Sequence, residues 1–489
     1  VLVVVAPPFA AESHAVTGPD GLGTIPWRSC GRQFECGSIS VPVDYVQPSE
    51  GRTRIAVARA RALDPGHRVG SLVLNFGGPG DPGTETLRSF IGSVPMEIRR
   101  RYDLVGFDPR GVGKSNAIDC ISDAAADEVF AVDPTPDTET DLRAFYDGNV
   151  GGVDFVQSCI DHHGSWLARV GSRNVARDLD LLRAALGDDR LTYLGFSYGT
   201  VIGAVYAQEF RERVGRMVLD GPVDLTLGLD GENADEAAGF EHALDAFLRD
   251  CARRESCRFR SGGHPRAALA ALRNQFEHGL TLRNGDDRRD RRRAGVAAFY
   301  TALVAGLYDK KFGWSDLAWA LSLARHRNGS GLLALADGYN GRRGDGTYDD
   351  LAESSGIILC ADQPQPLEPF DRFVAEYERA TTEHPFLGGF VSDVPVGCDP
   401  RLPRPSPSDA LGDVRVTGAA PILIVGTTDD PATPYSGARD LSGRIGNSRL
   451  LTFVSTEHTA YTKSRCIDRA VDRYLLGGAL PRVGTRCRP

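Results

Sequence analysis

The sequence predicts an α/β fold: a mostly parallel sheet flanked by helices, with a mainly helical block inserted into it. Three observations predict it. Short apolar runs bounded by glycine and proline, at 71–75, 102–107, 191–194, 217–219, 421–425 and 450–454, have the length and residue types of buried strands. Helical patterns separate the early ones, as parallel neighbours require. Strand signals then lapse from 223 to 417, where the pattern is helical, and resume at about 418. The expected organisation is therefore an extension over 1–29, a first part of the core over 30–222, a helical cap over 223–417, and the rest of the core over 418–489.

The alternating stretch 38–63 predicts a β-hairpin that opens the sheet. The strand at 71–75 runs into Phe76-Gly77-Gly78-Pro79-Gly80, whose glycines let backbone crowd a reacting carbon. The strand at 102–107 ends in Asp108-Pro109-Arg110-Gly111-Val112-Gly113-Lys114-Ser115. Its Gly-Lys-Ser ending is no phosphate loop, because Asp108 stands where that motif needs its first glycine. Asp108 and Arg110 are expected to pin this loop against the glycine-rich one. Val175, Leu179, Leu182 and Leu186 recur at helical spacing, and Gly187 stops the helix.

Gly195-Phe196-Ser197-Tyr198-Gly199 follows, with a strand-like run before it and a small, apolar helical run after it. A bare G-x-S-x-G is weak in a chain with 56 glycines, but strand, tight turn and helix together make a nucleophile elbow. The turn lifts the Ser197 hydroxyl above the sheet, and the Tyr198 amide opens the helix and can face a developing oxyanion.

A serine needs a base and an orienting acid, which in this arrangement follow it in the order acid, then histidine. The strand at 421–425 leads to Asp429 and Asp430, and residue types do not separate the two. Pro431 stiffens the backbone after Asp430, and Thr433 is placed to hydrogen-bond the carboxylate or a loop amide. The strand at 450–454 leads to His458. Of ten histidines only this one follows a strand, after the acid, near the chain end. His242 sits in a helical pattern and is read as structural, and His162-His163 lack the partners of a zinc site. An oxyanion hole needs a second amide, which the loop at 76–80 is placed to supply.

The cap reads as helices around 235–253, 265–276, 294–308, 315–325 and 369–382. The arginine-rich run 283–293 is interrupted by acids and reads as a solvated loop. If the substrate carries a free ammonium, carboxylates should line the cap side of the cleft. Glu353, Asp362, Glu232 and Asp235 are candidates.

Net charge is −9 over 489 residues, which argues against a nucleic-acid partner, and no apolar run approaches the length of a membrane span. Ten cysteines beside an apolar, small-residue start at 1–15, read as the tail of a secretory signal, point to an oxidising compartment. Pairing sequential neighbours gives Cys30–Cys36, Cys120–Cys159, Cys251–Cys257, Cys360–Cys398 and Cys466–Cys487.

Phe76-Gly77-Gly78-Pro79-Gly80 resembles the H-G-G-P-G loop of proline-iminopeptidase-type α/β-hydrolases. The runs from Asp108, Gly195 and Gly426, with His458-Thr459-Ala460-Tyr461 and the cysteines after it, resemble the secreted tripeptidyl aminopeptidases of actinomycetes, over roughly 30–489. The resemblance implies Ser197 as nucleophile, Asp430 as acid because it directly precedes a proline, His458 as base, and Gly78 and Tyr198 as oxyanion donors. Phe76 departs from the loop histidine of the iminopeptidases, Asp81-Pro82-Gly83 stands where Gly-Ser-Gly is common, and Glu457 replaces a frequent glycine. Glu457 thereby joins the candidates for contact with a substrate amine.

The resulting expectation is a secreted or cell-surface bacterial serine exopeptidase, releasing short peptides, tripeptides among them, from free N-termini. It would act as a monomer on a peptide or small acyl substrate, with no cofactor and no metal. Competing readings are an esterase or lactonase with the same triad, and a non-catalytic binding protein on a hydrolase scaffold.

Overall fold

A computed structural model describes residues 24–136, 138–285, 290–391 and 398–489. The signal-like start and the centre of the arginine-rich run lie outside these residues. The main sheet has ten strands: β1 (Arg28–Ser29), β2 (Phe34–Pro42), β3 (Arg52–Ala60), β4 (Gly70–Asn75), β5 (Tyr102–Phe107), β6 (Leu191–Phe196), β7 (Val214–Asp220), β8 (Ile422–Thr427), β9 (Ser448–Phe453) and β10 (Arg486–Cys487). Their order across the sheet is β1-β2-β3-β5-β4-β6-β7-β8-β9-β10. The β2–β3 hairpin joins antiparallel to β5, and every pair from β5 to β10 is parallel.

β4 pairs with β5 on one side and β6 on the other, Val73 facing Val105 and Tyr193. The chain thus leaves β4 in one direction and returns past it in the other. That reversal opens a crevice at the carboxyl ends of the strands, where open α/β sheets hold ligands. The central strands β4, β5, β6 and β8 are mainly apolar and almost wholly buried, as in a parallel sheet covered on both faces.

The helices that frame the site are α1 (Gly83–Phe90), α2 (Ser172–Ala185), α3 (Gly199–Glu209), α4 (Leu229–Arg253), α5 (Val296–Leu307), α6 (Leu351–Asp362), α7 (Tyr435–Arg444) and α8 (Arg465–Gly477). α2, α3 and α7 cover one face of the sheet; α1 and α8 cover the other. α3 is apolar on all sides and buried from Gly199 to Ala207. α2 ends as its pattern predicts, with Gly187 at φ +79°.

The inserted block has its own apolar cluster, which runs from Phe240 to Leu333 and takes in Leu387. Ile357, Ile358 and Ala361 of α6, with Leu411, Val414 and Val416, pack instead into the sheet's cluster. The lid is therefore independent over its middle, while its returning chain lies back on the core. All ten cysteines are paired, in the five neighbour pairs expected. Among the described residues no helix is long and apolar enough to cross a membrane.

Candidate active site

The turn after β6 carries Ser197 at φ +51°, a left-handed conformation that is strained for a residue with a Cβ. Its amide donates to the Asp220 carbonyl at the end of β7 at 2.9 Å, which fixes the turn against the neighbouring strand. The glycine-rich loop after β4 lies directly on this turn. A Cβ on Gly77 would come within 2.9 Å of Ser197 Cβ and 3.0 Å of the Tyr198 nitrogen, so only glycine fits. Phe76 stacks on Phe196 with ring centroids 6.0 Å apart and meets the edge of Phe90 at 5.2 Å. An apolar ring thus supports the loop where the iminopeptidases carry histidine.

The Gly77 amide is engaged by Asn75 Oδ1 at 3.1 Å. The Gly78 and Tyr198 amides donate to no protein atom among the described residues. Asp108 holds the start of α1 by accepting from the Thr84 amide at 2.8 Å and the Thr84 hydroxyl at 3.1 Å. Arg110 departs from expectation. It points the other way, donating in a fork to Asp178 of α2 at 2.6 and 2.7 Å, because that buried carboxylate presents a bidentate partner.

Asp430 sits in the turn after β8. His458 lies in the loop after β9, with Nδ1 2.8 Å from Asp430 Oδ1. Oδ1 also accepts the Ala432 and Thr433 amides at 3.1 and 2.9 Å, and Oδ2 accepts the Thr459 amide at 3.0 Å. These donors hold the fully buried carboxylate in one orientation, aimed at the imidazole. Asp429, the other candidate, instead faces His242 of α4 at 3.6 Å, and both side chains are about half exposed. His242 therefore bridges lid and core rather than filling a helix interface. A Cβ on Gly221, the residue after the carbonyl that holds Ser197, would sit 3.5 Å from His458 Cε1. Serine and imidazole thus flank the same backbone turn.

The candidate carboxylates separate. Glu353 accepts from the Cys120 and Ile121 amides at 2.6 and 3.2 Å. Asp362 accepts from the Ser172 amide and hydroxyl at 2.6 and 2.5 Å and from the Tyr198 hydroxyl. Glu457 is 4% exposed and accepts from Ser455 Oγ at 2.7 Å. These three are engaged inside the protein, Asp362 through both oxygens. Asp235 interacts with Ser436.

Glu232 accepts from Gln363 Nε2 at 3.0 Å, and burial pushes its carboxyl up to about 7 against that hydrogen bond. Glu236, one helical turn on along α4, was missed from the sequence. Burial pushes it up to about 7 as well; the His458 ring opposes that rise and the Asp430 charge adds to it. Glu232 and Glu236 thus sit one turn apart on α4, and Glu236 lies in the field of the Asp430–His458 pair. The one sequence signal was its i,i+4 spacing from Glu232, itself a candidate.

The family model described as alpha/beta hydrolase fold matches residues 70–463. The chain belongs to the α/β-hydrolase family. Within that family it falls in an actinobacterial group. The serine protease Hip1 of Mycobacterium tuberculosis is 38% identical over 92% of this chain and 87% of its own. Carboxylesterase B of the same species is 35% identical over 100% of this chain and 96% of its own. Tripeptidyl aminopeptidase of Streptomyces coelicolor is 30% identical, over 95% and 86%. By this kinship the α/β-hydrolase is a serine hydrolase.

Proposed function

We propose that the protein is a secreted serine peptidase that removes short peptides, tripeptides among them, from free N-termini. The observation that carries the reading is the 2.8 Å contact of His458 Nδ1 with Asp430 beside the strained Ser197 turn. With Nδ1–H donated to Asp430, Nε2 is left to accept the Ser197 proton. Ser197 Oγ attacks the scissile carbonyl, His458 passes the proton to the leaving amine, and Asp430 stabilises the imidazolium. The Gly78 and Tyr198 amides bind the oxyanion, about 3–4 kcal/mol for one good donor. Water activated by His458 then releases the acyl group. Five disulfides support an oxidising compartment.

Glu232 and Glu236 supply the receptor for the substrate ammonium. Buried carboxyls with no lysine or arginine beside them gain most from a charged ligand. Because burial raises both to about 7, they ionise as pH rises through 7, while a peptide amine loses its proton near 8. Preference for a free over an acetylated N-terminus should therefore peak between about 7 and 8.

A second reading, ester hydrolysis, is favoured by the likeness to carboxylesterase B. One panel tests both: a tripeptidyl amide, its N-acetyl form and an acyl ester, each assayed from pH 6 to 9. The peptidase reading expects the free peptide to be cleaved at least roughly tenfold faster than the blocked one, with Glu236→Gln flattening the difference. Turnover of the ester alone, indifferent to an amine, would sink it.

A further inference from the structure

The loop that carries His458 is held along its whole length. Six consecutive amides each have a protein acceptor. His458 donates to the Tyr308 carbonyl at 2.8 Å and Thr459 to Asp430 at 3.0 Å. Ala460 and Tyr461 donate to the buried Asp220 at 3.0 and 2.8 Å, Thr462 to Asp468 at 2.8 Å, and Lys463 to the Ala460 carbonyl at 3.1 Å. Thr459 and Thr462 are left-handed, at φ +62° and +72°, so the loop keeps this path only while its surroundings enforce it.

Only the first of these amides reaches the lid, at the residue that caps the end of α5. The other side of the same residue is held from the lid as well. Lys463 Nζ donates to the His458 carbonyl, and the same ammonium lies 3.4 Å from Asp309 Oδ2, next to Tyr308. The Tyr308 ring also meets the imidazole edge-on, centroids 5.4 Å apart. The lid corner Tyr308-Asp309 therefore brackets both the N–H and the C=O of His458. Lysine is rare in this chain, four residues against 52 arginines out of 56 cations. Here its ammonium serves one carbonyl and one carboxylate at once.

We infer that Lys463 and Asp309 are positioning residues that fix His458 from the lid, so that the lid sets the geometry of the base as well as admitting substrate. This rests on His458 being the base. Side-chain exposures of 17% and 32% place the pair at the margin of the packing, where substitution leaves the core intact. A shift of the imidazole by a fraction of an ångström lowers turnover without altering how substrate docks.

Hydrolysis of p-nitrophenyl butyrate by the full chain tests the inference, alongside thermal melting. Asp309→Asn should lower kcat roughly threefold or more, and Lys463→Met roughly tenfold, each with KM within about twofold. The double variant should be no slower than Lys463→Met, since both act through one link. Lys463→Arg should recover most of the loss. Arg292→Met, which breaks the lid's internal pair with Asp337 at 2.6 Å, should lower the melting temperature and leave kcat unchanged. Unchanged kcat in folded Asp309→Asn, or equal kcat losses in Asp309→Asn and Arg292→Met, would overturn the role. Asp309→Asn decides alone if Lys463→Met does not fold. Full turnover by His458→Ala would instead remove the base itself, and this inference with it.

Discussion

Asp429 and Asp430 carry the same side chain one peptide apart, and the fold gives them opposite surroundings. Asp430 is sealed beneath three backbone amides and the imidazole. Asp429 is half exposed and faces a lid histidine. Asp430→Asn should keep the fold but lose the acceptor that sets the imidazole tautomer, with kcat falling by about 10⁴. Asp429→Asn should stay within a few-fold, because an exposed ion pair is worth at most about 1 kcal/mol. Steady-state kinetics on both variants checks this, and equal losses would move the acid. Ser197 and His458 were legible in the sequence because each follows a strand, and strand ends are local patterns. The choice between the two aspartates was not. Without the family resemblance it depends on which carboxylate turns toward a loop 28 residues away, and only the turn ending in Thr433 determines that. Glu236 and Lys463 were illegible for the same reason: each acts across the lid–core boundary.

At the scale of elements, α6 is where expectation and structure diverge most. Its two carboxylates were candidates for a substrate amine, yet Asp362 joins three donors that belong to the fold: the Ser172 amide, the Ser172 hydroxyl and the hydroxyl of Tyr198. A lid helix thus grips the residue that follows Ser197. α4 makes a comparable approach to the acid turn, where a Cβ on Gly239 would meet the Pro431 carbonyl at 2.3 Å. The strands and α2 were readable from periodicity and glycine stops, but α6 was not, since its apolar residues form no repeating stripe along the sequence. Asp362→Ala leaves three buried donors unpaired, which should cost about 1–3 kcal/mol each at most and lower the melting temperature clearly. Asp362→Asn, which keeps one acceptor, should lose less. A substrate-binding Asp362 would give the reverse pattern, an unchanged melting temperature with a raised KM, so calorimetry beside kinetics separates the two roles.

Across the whole molecule eight buried acids are pushed the same way. Burial raises Asp81, Asp220, Asp350, Asp362 and Asp472 to about 6, and Glu232, Glu236 and Glu353 to about 7. Glu35 is held down at about 2 by Arg61 and Arg59. Between pH 5 and 7 Glu35 is ionised both folded and unfolded, so it adds no slope. The raised groups do the opposite. Unfolded, they have released their protons by pH 5; folded, they keep them until pH 6 or 7. The native state therefore binds more protons throughout this window, and linkage makes stability fall as pH rises through it. The melting temperature should be higher at pH 5 than at pH 7.5, by at least a few degrees. Glu353→Gln keeps a carbonyl to accept the Cys120 and Ile121 amides but no longer titrates, so it should make the decline shallower. A melting temperature that is flat or rising across the window would show that these carboxyls are ionised in the native state. The proposed ammonium receptor would then be charged well below neutrality, and the proposed preference for free N-termini would persist at pH 6.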